Sequence, residues 1–244
     1  MLPKRVRQFI MNLTDRINEN DYKYIESKLN NKEYEIFKEI SKSEQKHSVR
    51  VAREIENIIN EIKKGNEFKS GYTLTNGEIL DRKIILSAKE ELIKNEELLV
   101  KAGLLHDVGK SRQRINIIDK SIIVILNKLT KGKLRNINLK KIQCYYNHSE
   151  YSYEILKEMY GNIDLEKKNI DVKNENTNEM NIDNDKINKN NDFLEVIRNH
   201  HNENYGENKG DDVKACENES SICSNDKYYL GNIIRFFQGV DDGN

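Results

Sequence analysis

The sequence predicts an all-α protein, and three observations carry that prediction. Among 244 residues there is one proline and there are 12 glycines, too little turn chemistry for an all-β fold. Apolar residues recur at three- and four-residue spacing through most of the chain, the period of a helix face. The apolar set is 36% against 34% charged residues, enough for a compact core but not a large one.

Taken in order, residues 1 to 40 read as an N-terminal segment packing on the rest, helical from residue 4 to 40. Its first piece carries Val6, Phe9, Ile10, Leu13 and Ile17, and its second, Tyr22 to Ile40, carries Ile25, Leu29, Ile36 and Phe37. Residues 41 to 244 form the main domain. Ser41 and Glu44 are spaced as a capping box that opens a helix with Val51, Ile55, Ile58, Ile59 and Ile62 on one side. Lys64-Gly65-Asn66 ends it, and the glycines and asparagines from 65 to 80 predict a loop. A helix follows from Ile84 to Leu105, with Gly109 as its C-terminal glycine. Ile117 to Leu129 predicts a strongly apolar, buried helix, and Thr130 to Lys133 a polar turn. Three more helices are expected at 138 to 160, Phe193 to His201, and Tyr228 to Val240. Two polar loop insertions interrupt this order, at about 162–192 and 202–227. The first holds ten asparagines and no aromatic residue, so neither buries enough apolar surface to offset chain entropy.

Composition narrows the function classes. Lys plus Arg and Asp plus Glu are both 41, a net charge of zero, which argues against non-specific nucleic-acid binding. The longest apolar run, Ile122 to Leu126, is far below the roughly 18 residues of a membrane helix. No secretory signal is expected behind Met1-Leu2-Pro3-Lys4-Arg5. Cys144, Cys216 and Cys223 lack C-x-x-C spacing and read as free thiols. A cytoplasmic protein follows.

The five histidines are the informative residues: His47, His106, His148, His200 and His201. Each falls in or at the end of an expected helix, and none falls in an insertion. Any one alone would read as an ordinary core or surface residue. Together, with Asp107 after His106 and Asp241 near the C-terminus, they form the imidazole–carboxylate donor set that divalent Fe, Mn, Zn, Co or Ni accept. Helices that each lend one or two inward ligands are how bundle proteins build two-metal centres. Adjacent helical residues diverge by about 100°, so His106 and Asp107 can share a centre only at a helix end, where Gly109 places them.

The chain here resembles the HD-domain (HDIG-type) metal-dependent phosphohydrolases. The resemblance rests on Gln45–Ala52 around His47, and on Ala102–Lys110 with its His-Asp-x-Gly-Lys element. Asn147–Glu150, Asn199–Asn202 and Gly239–Asp242 continue it. It spans roughly residues 41 to 160 and 193 to 242, and it implies an HD-domain helical bundle. It further implies one metal on His47, His106, Asp107 and Asp241, and a second on Asp107, His148, His200 and His201. Asp107 would bridge the two, as in dinuclear HD-GYP-like members. Those members carry a Gly-Tyr-Pro element after the paired histidines. Here Asn202-Glu203-Asn204-Tyr205-Gly206 follows instead, and Ser43 stands where some place an acidic residue, which argues against a third metal and a cyclic di-GMP substrate.

The implied reaction is cleavage of a phosphoester, of a nucleotide substrate, by metal-activated hydroxide. Asp107 and Lys110 act as catalytic residues, with Lys110, Arg112 and Arg114 binding substrate. Lys120 adds to that local positive patch, which reads equally as a solvated loop. Glu150 and Asp242 lie beside expected ligands, where they either orient histidines or are surface carboxylates. Two further readings keep the same residues: a di-iron oxygenase of the HD superfamily, and a non-catalytic nucleotide-binding regulatory module.

Overall fold

The computed structural model describes residues 14–115, 117–171, 182–202 and 223–242. Their regular structure is helical apart from one short hairpin, as the sequence predicts. In order come α1 (Glu19–Lys28), α2 (Asn31–Lys38) and α3 (Lys42–Lys63), then the hairpin β1 (Tyr72–Thr73) and β2 (Ile79–Leu80). Three short helices follow, α4 (Arg82–Ser87), α5 (Lys89–Lys94) and α6 (Glu96–Leu105), with a 3-10 turn at Val108–Arg112. Then come α7 (Ile117–Leu129), a 3-10 turn at Lys133–Asn136, α8 (Lys140–Asp171), α9 (Ile182–Asn199) and α10 (Cys223–Asp242).

Several expected elements are re-cut by local chemistry. The stretch 22–40 is two helices, because Leu29 is extended and Asn30 caps α2 in a capping box with Glu33. Val6, Phe9, Ile10 and Leu13 lie outside the described residues. Ser41 does cap α3, accepting from the Glu44 N–H at 3.3 Å. The Glu44 carboxylate does not close the box; it holds Lys110 and Lys120 instead. The stretch 65–80 contains a hairpin, with Tyr72 paired to Leu80 and Thr73 to Ile79. The expected helix 84–105 breaks at Ala88 and Asn95, whose backbones leave the helical region.

Gly109 also has a different role from the one expected. It is not among the glycines with positive φ, and its chain stays in a 3-10 turn. A Cβ there would lie 2.1 Å from the His148 carbonyl oxygen and 2.5 Å from the Ser152 nitrogen. The residue is glycine because the backbones of the turn and α8 touch. The insertions are narrower than expected, since the α8 and α9 backbones are helical to Asp171 and from Ile182, and α10 begins at Cys223. Residues 172–181 and 203–222 lie outside the described residues.

The core is built around α3 and α6. They cross where a Cβ on Gly103 would be 2.8 Å from Ala52 Cα, so the two backbones nearly meet. Ile55, Ile58 and Ile59 of α3, Leu99 and Leu104 of α6, and Phe236 and Phe237 of α10 are fully buried in one cluster. Ile25 of α1 and Phe37 of α2 join it. α7 stands apart: of its described apolar side chains only Ile123 packs inward, against Leu134 and Ile142 in a small second cluster. The expectation of a well-buried α7 is therefore wrong. Ile118, Ile122, Val124, Ile125, Leu126 and Leu129 all face solvent. No helix among the described residues is long and apolar enough to cross a membrane.

Candidate metal centre

All seven expected ligand residues converge on one buried place. α3 brings His47, the end of α6 brings His106 and Asp107, α8 brings His148, the end of α9 brings His200 and His201, and α10 brings Asp241. The α6 helix stops at Leu105, so His106 and Asp107 leave it in a turn and both point inward. Phe237 underlies the cluster, its ring 5.6 Å from that of His106 and 6.3 Å from that of His200.

The donors fall into two sets. His47, His106 and Asp241 form one, and Asp107, His148, His200 and His201 the other; within each set the ligand atoms lie within 4.8 Å of one another. Asp107 faces both. Its Oδ2 is 3.4 Å from His106 Nε2 and 3.7 Å from His47 Nε2. Its Oδ1 is 3.4 Å from His148 Nε2 and 3.9 Å from His200 Nε2. Asp241 Oδ1 is 2.9 Å from His47 Nε2 and 3.3 Å from His106 Nε2, and its Oδ2 is 4.0 Å from His201 Nε2. His201 is the exposed member, on the solvent side of His148 and His200.

Three histidines are oriented by main chain. His106 Nδ1 lies 3.0 Å from the Gly103 carbonyl, His148 Nδ1 2.8 Å from that of Tyr145, and His200 Nδ1 2.6 Å from that of Ile197. A carbonyl only accepts, so each Nδ1 carries the proton and each Nε2 is turned to the centre. Those three Nε2 atoms, and Asp107 Oδ1, are buried without a hydrogen-bond partner. Buried polar atoms without partners are costly, and a cation is the partner that nitrogen lone pairs and a carboxylate share. The residues fit divalent transition metals.

Electrostatics agree with a site built for positive charge. Burial opposes the charge of Asp107, but Lys110 and His106 outweigh it and hold that carboxyl well below its usual range. Burial likewise opposes Asp241, and His106 and His47 keep it ionised. Burial opposes a proton on His106, but Asp107 and Asp241 outweigh it and raise its pKa to about 10, so a cation ligated by Nε2 would take the place of that proton. Burial and Lys110 push His148 down to about 3, and burial with His201 holds His200 well below its usual value. Those two imidazoles stay neutral and able to ligate.

The expected substrate-binding cations are placed differently from one another. Lys110 is largely buried and its ammonium holds Asp107 Oδ2 and Glu44 Oε2, the latter at 2.9 Å. Burial opposes its charge, and the two carboxylates hold its pKa above the ordinary lysine value. Arg112 pairs with Glu154 at 2.7 Å and lies over the Tyr151 ring, and Arg114 is exposed. Lys120 ties α7 to Glu44. Glu150 does not orient a histidine; it takes a bidentate pair from Arg198 at 2.8 and 3.0 Å. Asp242 is exposed beside Asp241.

Two supporting residues were not read from the sequence. Ser152 Oγ accepts from the Gly109 N–H at 2.8 Å and donates to the His148 carbonyl at 2.9 Å. Its signal was its position four residues after His148, one turn along the same face. Gln238 Nε2 donates to the carbonyls of Asn199 and Asn202, bracketing the paired histidines, and nothing in sequence spacing points to it.

The HD domain family model matches residues 45–228, most of the chain. The chain belongs to the HD domain family, a superfamily of metal-dependent hydrolases. No curated protein and no solved structure matches it.

Proposed function

We propose that the protein is a metal-dependent phosphohydrolase that cleaves a phosphoester of a nucleotide, with two cations per chain. The observation that carries this reading is Asp107, whose two oxygens face two separate histidine sets. That arrangement suits a carboxylate bridging two metals, one held by His47, His106 and Asp241, the other by His148, His200 and His201. Such a pair would lower the pKa of a water and neutralise charge on a phosphoryl group.

The chain's own residues account for the rest. Gly103, Tyr145 and Ile197 carbonyls hold three imidazoles in the ligating tautomer. Phe237, fully buried, sets an apolar ring under the His106 and His200 imidazoles. Glu44 keeps the Lys110 ammonium beside Asp107, where it can meet a phosphate oxygen at the rim of the centre. Arg114, exposed on the same loop, would receive the outer part of an anionic substrate.

The test is turnover by purified protein loaded with Mn, Fe, Co or Ni, using a panel of nucleotides and a generic phosphodiester. Phosphoester cleavage that falls to background in His106→Ala is expected. Undiminished cleavage in that variant overturns the proposal. So does oxygen consumption without phosphate release, or tight nucleotide binding without product.

A further inference from the structure

α7 is amphipathic with its apolar side turned outward: Lys120 and Asp119 reach inward to Glu44 and Lys141, and among the described residues it buries only Ile123. The apolar stripe of an amphipathic helix is normally packed against a partner. Its outer face carries Ile118, Ile122, Ile125 and Leu129, which are 68%, 48%, 59% and 72% exposed. Those positions are spaced four, three and four residues apart, the alternation of a two-helix seam. The order reads the same in both directions, so the seam is complementary to itself run backwards.

We propose that this face is where a second copy of the chain packs, α7 against α7, antiparallel across a two-fold axis. Ile118 of one copy then meets Leu129 of the other, and Ile122 meets Ile125. A two-fold contact uses the same patch on both partners, which is what a self-complementary seam provides. Val124 and Leu126, 43% and 39% exposed, flank the seam, so six apolar side chains of one helix lie open. Stable interfaces bury about 800 Å² per partner, and single monomers seldom leave so large an apolar patch open. The seam itself carries no charge. Lys120, on the inner side of the helix, stays on Glu44, so the dimer would also steady the lysine pair beside Asp107.

Light scattering and sedimentation across a concentration series test the proposal. Wild type is expected to be a dimer at micromolar concentration. Ile122→Lys/Ile125→Lys, which alters only exposed positions, is expected to be a monomer with an unchanged circular dichroism spectrum. Ile122→Lys/Ile125→Glu sets lysine against glutamate across the axis and is expected to dimerise again at higher concentration. A wild type that stays monomeric overturns the proposal, as does a double-lysine variant that stays dimeric. A charge-swapped variant no more dimeric than the double-lysine variant overturns the antiparallel seam. A monomeric wild type that floats with phosphatidylcholine vesicles would assign the face to lipid instead.

Discussion

Ser152 puts one hydroxyl between the Gly109 nitrogen and the His148 carbonyl, joining the turn after Asp107 to the helix that carries His148. Ser152→Ala leaves a buried N–H unpaired, which costs about 1–3 kcal/mol. The variant should melt at lower temperature and bind metal about 10–100-fold more weakly, as calorimetry with and without Mn would show. A second buried residue sets a pH dependence. Asp21 is fully buried, and its carboxylate meets Lys46 at 2.8 Å, Arg53 at 2.9 Å and the Asn18 N–H at 3.0 Å. Burial raises its pKa, but these partners outweigh that and lower it below the ordinary 3.8. Its folded pKa is below its unfolded one, so its contribution is complete above about pH 4 and is lost as pH falls lower. Urea unfolding between pH 5 and 2.5 should show that loss, and Asp21→Asn should be less stable at pH 5 with a shallower acid slope. The ligands were legible at this scale because histidine is scarce and each one sits at a helix position. Glu44 reads as a cap from its spacing to Ser41, but its carboxylate holds Lys110 and Lys120, partners too distant in sequence for local spacing to reveal.

At the scale of elements, the 3-10 turn after α6, packed on α8, decides whether the His106–Asp107 pair reaches the others. Gly109→Ala places a methyl group against the α8 main chain, and backbone cannot yield as a flexible side chain would. Overpacking of this kind costs about 1–3 kcal/mol or more, and here it also pushes Asp107 off His148. The expected outcome is a lowered melting temperature together with loss of the second equivalent of metal, read by denaturation and metal analysis. Helix periodicity located α3 and α7 closely, while α10 begins five residues before the expected Tyr228. It did not show that 84–105 is three helices, because Ala88 and Asn95 fit a helical pattern while their backbones leave it. Nor did it separate a buried apolar helix from an exposed one. α7 has the same hydrophobic text in either case, and only its neighbours tell which.

Across the whole molecule, five elements far apart in sequence meet at one centre because α3 and α6 pack at the Ala52–Gly103 contact and α10 closes over them. Gly103→Val should therefore damage the centre without touching a ligand, lowering both stability and metal content; full metal retention with normal stability would count against that coupling. The bundle and the convergence of His47, His106 and Asp241 were readable from motif order. The self-complementary face of α7 was not, since solvent exposure is a property of the assembled fold. The central claim is a pair of cations sharing Asp107, and metal analysis of protein made in iron- and manganese-replete medium tests it most directly. Two equivalents per chain are predicted, falling below one in Asp107→Ala. One equivalent or none in the wild type, or two retained without Asp107, would contradict it.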